Sequence, residues 1–202
     1  EKGYHDSVAS LMLIRRSGLS VFAGAGVNPF KYTPTDQFLQ YFKMIRKLSV
    51  GAGFVVTQAG WDMKKLQELQ WFLQMREIGT PVLARLALLS PEDIRTIHEG
   101  YTPGVAVSRA FSAMLQRESS LNAAQCLSAQ LHRMGMQIAG CRLLGYSGVQ
   151  IAGIRDPRTL EMVLTRADKA VEEFADYGSW RAAWQDFHGD LDFAPAADAW
   201  YG

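Results

Sequence analysis

The chain has 202 residues, is 48% hydrophobic and carries a formal net charge of +1. That length and apolar content suit one compact domain with a sizeable core, and the near-balanced charge calls for neither a nucleic-acid partner nor a membrane surface. No apolar run reaches the roughly 18 residues that span a bilayer, and no secretory leader is visible.

In chain order, residues 7–17 read as a helix, and LSVFAGAG at 19–26 reads as a short buried strand running into a glycine-rich turn. Thr33, Pro34 and Asp36 open the next helix with an N-cap, a first-turn proline and a first-turn acid. Phe38, Phe42 and Ile45 form its apolar stripe. GFVVTQ at 53–58 is the second strand. A helix over about 62–78 follows, with Leu66, Leu69, Phe72 and Leu73 inward. PVLARLAL at 81–88 is the third strand, and Ser90-Pro91-Glu92-Asp93 starts another helix with the same capping grammar. After a loop at 100–104 come helices over about 105–117 and 120–143, the strand GVQIAGI at 148–154, and a helix at 157–175 capped by Asp156.

Short apolar strands separated by helices are the pattern of a parallel sheet built from βα units. Four such units do not close a (β/α)8 barrel, which takes about 250 residues. The alternative is an open doubly wound sheet, but Gly24-Ala25-Gly26 lacks the third glycine of a dinucleotide loop and no acid sits suitably downstream. The favoured reading is an α/β chain covering the last four βα units of a (β/α)8 TIM barrel over residues 1–175, with earlier strands expected upstream of residue 1. Residues 176–202 form an aromatic helical tail. Within it Trp180, Trp184 and Phe187 stand at i, i+4 and i+7, a stripe that must be covered by the chain's own body or by another subunit. Trp200 and Tyr201 follow it.

Cys126 and Cys141 fall inside one long helical pattern, so no disulfide is expected between them. His5, His98, His132 and His188 are scattered, and no His/Cys pair has zinc-ligand spacing, so no metal site is expected. A reducing cytoplasm fits this cysteine usage.

Gln58 ends the second strand, and in a (β/α)8 barrel the C-terminal strand ends face the active site. Its amide offers both donor and acceptor. Gly24, Ala25 and Gly26 allow a flat ring to approach the backbone, or simply make a tight turn. Lys43, Arg46 and Lys47 share one helix face, which taken alone is a solvated basic surface. Arg155 follows the last strand, beside Asp156, as a carboxylate-binding residue or half of a local ion pair.

The ordered segments GAGVNPF (24–30), IRKLSVGAGFVVTQ (45–58), TPVLARLALLSPED (80–93) and GVQIAGIRDP (148–157) resemble the second half of the catalytic barrel of methylenetetrahydrofolate reductases, over roughly residues 8–175. The Gly51-Ala52-Gly53-Phe54-Val55-Val56-Thr57-Gln58 run is the most specific part. The resemblance implies a flavoprotein that passes hydride from NADH or NADPH through FAD to methylene-tetrahydrofolate. It implies that Gly24, Ala25, Gly26 and Asn28 lie near the flavin. Lys43, Arg46 and Lys47 would face the adenosine diphosphate end of FAD, with Gln58 and Arg155 on the folate. The catalytic acid is not identifiable in this chain and is expected upstream. Arg85 stands where the family usually has a small residue, and the aromatic that often follows that strand is replaced near Glu92. Two rival readings stay open: a non-catalytic subunit that binds folate or another protein, and a pterin-binding methyltransferase without flavin. A homo-oligomer without nucleic-acid or membrane partners is expected.

Overall fold

A computed structural model describes residues 6–99, 101–102 and 104–194; His5, Trp200 and Tyr201 lie outside them. Helices and strands alternate along the described chain: α1 Ser7–Arg16, β1 Gly24–Val27, α2 Pro34–Ser49, β2 Phe54–Thr57, α3 Met63–Met75, β3 Val82–Ala87, α4 Pro91–His98, α5 Arg109–Ser120, α6 Ala123–Leu143, β4 Gly148–Ala152, α7 Pro157–Glu173 and α8 Tyr177–His188. Each of these helices opens on a short polar side chain that accepts a hydrogen bond from a first-turn amide. The caps run from Asp6 and Thr33 through Asp62, Ser90, Ser108 and Asn122 to Asp156 and Asp176. Such a cap contributes typically about 1 kcal/mol, which is why the helix starts are written locally in the sequence.

The four strands form one parallel sheet in the order β1-β2-β3-β4, with no reversal. Gly24 pairs with Phe54, Val55 with Val82, and Leu83 with Gly148. A doubly wound sheet reverses its strand order at a switch point, and this sheet does not. One face is closed: Ala25, Val27, Val55, Thr57, Val82, Ala84 and Leu86 are all buried. Val27, Val55, Val82, Ala84 and Leu86 join Met44, Leu66, Leu69, Leu73, Met134 and Met136 from the helices in the main core, while Ala25 packs with Leu11 and Ala52. The opposite face, carrying Gly24, Gly26, Phe54, Val56, Leu83, Arg85 and Gln150, is partly or fully exposed.

Two sequence expectations shift. The first strand begins at Gly24 rather than residue 19, and Leu19, Val21 and Phe22 are exposed. On α2, Tyr41 and Met44 turn into the core, whereas Phe38 and Phe42 stack on each other at the surface, 6.2 Å between centroids. Both stripes have helical spacing, and only the position of β1 against the helix decides between them. The inward residues expected on α3 are confirmed, with Leu66, Leu69 and Leu73 buried and Phe72 half-buried. Cys126 and Cys141 are free and buried, and burial pushes the Cys141 thiol well up.

Helix α6 is buried around much of its circumference, from Cys126 to Cys141. The tail helix α8 packs on it. Trp180 is 1% exposed and its indole Nε1 donates to the Met136 carbonyl at 2.7 Å. Trp184 is buried and Phe187 half-exposed. The aromatic stripe is therefore largely covered by the chain's own body. Gly140 makes this possible: a Cβ there would lie 2.4 Å from Trp180 Cζ2. Arg133, buried on α6, pairs with Glu118 of α5 and lies over the Phe111 and Phe187 rings at 5.6 and 5.8 Å.

Two outcomes follow for the tail. Gly140→Ala should destabilise the fold by roughly 1–3 kcal/mol through overpacking, and by clearly less in a Trp180→Leu background; equal costs in both backgrounds, measured by denaturant titration, would remove the Gly140–Trp180 contact as the cause. The second outcome concerns His188, whose Nδ1 lies 3.0 Å from the Trp184 carbonyl and whose ring packs against Trp184 and Phe193. Burial pushes its pKa down to about 4, with Arg133 and His132 adding to the depression. The unfolded chain therefore takes up a proton near pH 6.5 that the folded chain refuses. Stability should fall by about 2–3 kcal/mol between pH 7 and pH 4.5 on this account, and a His188→Gln variant should show a correspondingly shallower acid slope.

Candidate functional site

The alternation of side chains along a strand places residues i, i+2 and i+4 on one face. On the open face of the sheet this alternation builds two levels. The lower one is apolar or small: Gly26, Val56, Leu83 and Gly148. The upper one, at the C-terminal strand ends, is polar. Arg85 is directly opposite Gln150 in the β3–β4 register. Gln58 follows Thr57, which pairs with Val27, so Asn28 and Gln58 sit level with each other. Continuing the β2–β3 register by two residues sets Gln58 level with Arg85. Three carboxamides and one guanidinium thus form a row across all four strands.

This row lines a cavity of about 670 Å³, together with Gly24, Ala25, Gly26, Val27, Phe54, Val56, Thr57 and Gln40. That volume is in the range of small-molecule sites. None of these lining side chains is an acid, a histidine or a cysteine.

The polar groups are held from behind. The Thr57 hydroxyl accepts from the Arg85 backbone amide at 2.9 Å, and Arg85 Nε donates to Gln150 Oε1 at 2.7 Å. Asn28 Oδ1 accepts from the Phe30 amide at 3.1 Å, while its Nδ2 donates to the Gly104 carbonyl at 3.1 Å. Gln58 Oε1 accepts from the Ala59 amide at 3.2 Å. The segment at Gly104 lies close over this end, so close that a Cβ at Gly104 would meet Gln58 Nε2 at 2.7 Å.

The two glycines of β1 differ. In front of Gly24 lies the Phe54 ring, which a Cβ would strike at 2.3 Å, and Phe22 stacks on Phe54 at 5.2 Å. In front of Gly26 the space is open. A flat ligand ring therefore has access to the backbone at Gly26, whereas at Gly24 a protein aromatic already occupies that place.

Gly24, Ala25, Gly26, Asn28 and Gln58 are thus brought together in one cavity. The other sequence candidates are not. Lys47 donates from Nζ to the Gly26 carbonyl at 2.7 Å and so covers the free edge of β1. Burial lowers its pKa, and the neighbouring Lys43 lowers it further. Lys43 and Arg46 are exposed on α2 and do not line the cavity. Arg155 lines a second cavity of about 520 Å³, with Ser90, Cys126, Gln130 and Asp156 among its walls. It pairs with Asp93 at 3.4 Å rather than with Asp156, which instead caps α7. Gln150 and Phe54 were not singled out from the sequence. For Phe54 the signal was present, since it falls on the same period-2 face of its strand as Gln58; Gln150 joins the row only through the β3–β4 register.

No family profile and no curated protein matches this sequence. Among solved structures, the fold is similar to that of an uncharacterized protein from Clostridium thermocellum that binds two copies of 5-methyl-5,6,7,8-tetrahydrofolic acid, with a TM-score of 0.56 and 11% identity. The match covers 83% of this chain and 59% of that one. At that identity the likeness concerns the fold, and the chain spans well under two thirds of its neighbour's length.

The asymmetry of the two glycines is testable by thermal unfolding. Gly24→Ala should cost roughly 1–3 kcal/mol because the new methyl meets the Phe54 ring. Gly26→Ala should leave stability unchanged or slightly raised, since alanine replaces glycine in open space. Equal effects at both positions would contradict the geometry of the open face.

Proposed function

We propose that this chain is a folate-binding α/β domain whose ligand lies on the open face of the sheet, against Gly26 and Phe54 and under the row Asn28, Gln58, Arg85 and Gln150. The observation that carries the reading is that row. A pterin edge presents donors and acceptors side by side, and carboxamides answer both. Phe54 offers an aromatic surface to the ring, and Gly26 offers close approach to the backbone. The folate-binding structural neighbour supports the same ligand class.

In this proposal the sheet is an arc of a (β/α)8 barrel. Supporting this are its parallel strands in chain order and the closure of one face alone. All-parallel sheets are normally covered on both faces, so the open face is the side on which ligand or further strands belong.

Binding without turnover is the favoured form of this function. Among the described residues the cavity lining holds no acid or base for proton transfer, and hydride chemistry on a folate needs an acid to assist the methylene carbon. The FAD-dependent reductase is the second reading, favoured by one observation: the open backbone at Gly26 admits an isoalloxazine as readily as a pterin. In that case the flavin would supply the hydride chemistry, and Gly26, Asn28 and Gln58 would hold its ring. Lys47 gives this reading less support than its spacing did, because its ammonium is engaged by the Gly26 carbonyl.

Calorimetric titration with 5-methyl-tetrahydrofolate should show saturable binding by protein that carries no visible flavin absorbance. Flavin absorbance that survives dialysis would restore the reductase reading. Gln58→Glu, which removes the amide donors and adds a charge, should weaken folate binding by about tenfold or more with an unchanged melting temperature. Binding at wild-type strength would reduce Gln58 to a capped strand end.

A further inference from the structure

We propose that Arg85 is the anion anchor of this cavity, holding a carboxylate of the folate's glutamate tail; the inference rests on the folate reading above. Arg85 projects from the middle of the sheet into the cavity, half-buried between Gln58 and Gln150. Its Nε is committed to Gln150. Among the described residues no carboxylate lies within ion-pair distance of it. The two terminal nitrogens therefore carry a positive charge into a cavity whose other polar walls are neutral.

Such a charge in a partly desolvated site attracts an anion. A guanidinium presents parallel N–H groups that match a carboxylate's two oxygens. The Gln150 bond limits rotation about the end of the side chain and so aims the fork, lowering the ordering cost of binding.

The spacing of the sheet fits one ligand across it. Adjacent strands lie about 4.8 Å apart and each residue rises about 3.3 Å along a strand, so Gly26 on β1 and Arg85, two strands across and two residues further up, are separated by about 12 Å. A ring seated at Gly26 and Phe54 can send an extended tail across β2 to Arg85. Arg155, the other arginine near the strand ends, is a poorer partner. It is mostly exposed, lines a different cavity and already faces Asp93.

The test pairs ligand charge with protein charge. Binding of 5-methyl-tetrahydrofolate and of its diamide, in which both glutamate carboxylates are neutralised, is measured for wild type, Arg85→Gln, Arg85→Lys and Arg155→Gln. Wild type should prefer the acid over the diamide by about tenfold or more, as expected for a charge-assisted pair. Arg85→Gln should bind the two ligands alike. Arg85→Lys should keep part of the preference, since it retains charge but loses the fork. Arg155→Gln should behave as wild type. Melting temperatures of the four proteins separate lost binding from lost folding.

A wild type indifferent to the carboxylates overturns the proposal, as does a preference that survives in Arg85→Gln. Failure of wild type to bind either ligand is a different result: it overturns the folate reading itself.

Discussion

The period-2 alternation of side chains, imposed on four parallel strands in a common register, is the constraint from which the rest of the molecule follows. It sends Val27, Val55, Thr57, Ala84 and Leu86 to the helix-covered face and Gly26, Val56, Arg85 and Gln150 to the open one. A slip of one residue in any strand would exchange its two sets. It would bury a guanidinium against the helices or expose a core valine. The hydrophobic face therefore specifies the register, and the register in turn assembles the polar row. The packing that stabilises the fold and the arrangement that forms the cavity are two consequences of one pairing.

The helical layer secures that pairing from behind. Helix α6 is the hinge of the packing, because it meets β3 and β4 on one side and α7 and α8 on others. Close approach depends on small residues. Trp180 seats on Gly140, and the Arg166 carbonyl lies within 2.9 Å of where a Gly135 Cβ would stand. The buried Arg133–Glu118 pair is less favourable than its contacts suggest. Glu118 Oε2 and Arg133 Nε are buried without hydrogen-bond partners, and desolvating an ion pair offsets much of its Coulomb attraction. The rings of Phe111 and Phe187 compensate in part, since a desolvated guanidinium gains from an aromatic face.

The edge of the sheet gives Lys47 its place. An edge strand leaves carbonyls unpaired and invites further pairing. Lys47 answers the Gly26 carbonyl, next to the open backbone that a ligand ring would approach. A residue that the resemblance set against a cofactor phosphate thus covers the free edge of the sheet beside the cavity instead. Arg85 shows the converse: a departure from the resembled family's small residue places the cavity's charge.

The elements, their order and most of their limits are legible in the amino-acid sequence. Helix starts are local events, written in caps such as Thr33, Ser108 and Asn122, and parallel strands announce themselves as short apolar runs between helices. The grouping of Gly26, Asn28 and Gln58 is legible there too, because the C-terminal strand ends of a βα array converge on one side whatever their distance along the chain. The tertiary structure alone decided which of two apolar stripes on α2 turned inward, since Phe38 and Tyr41 both satisfy helical spacing and only the position of β1 distinguishes them. It decided that Arg155 belongs with Asp93 in a separate cavity, and that Arg85 and Gln150 meet across 65 residues of chain. Local signals report on neighbours within a turn or two, whereas a pairing between distant strands depends on how the whole core packs.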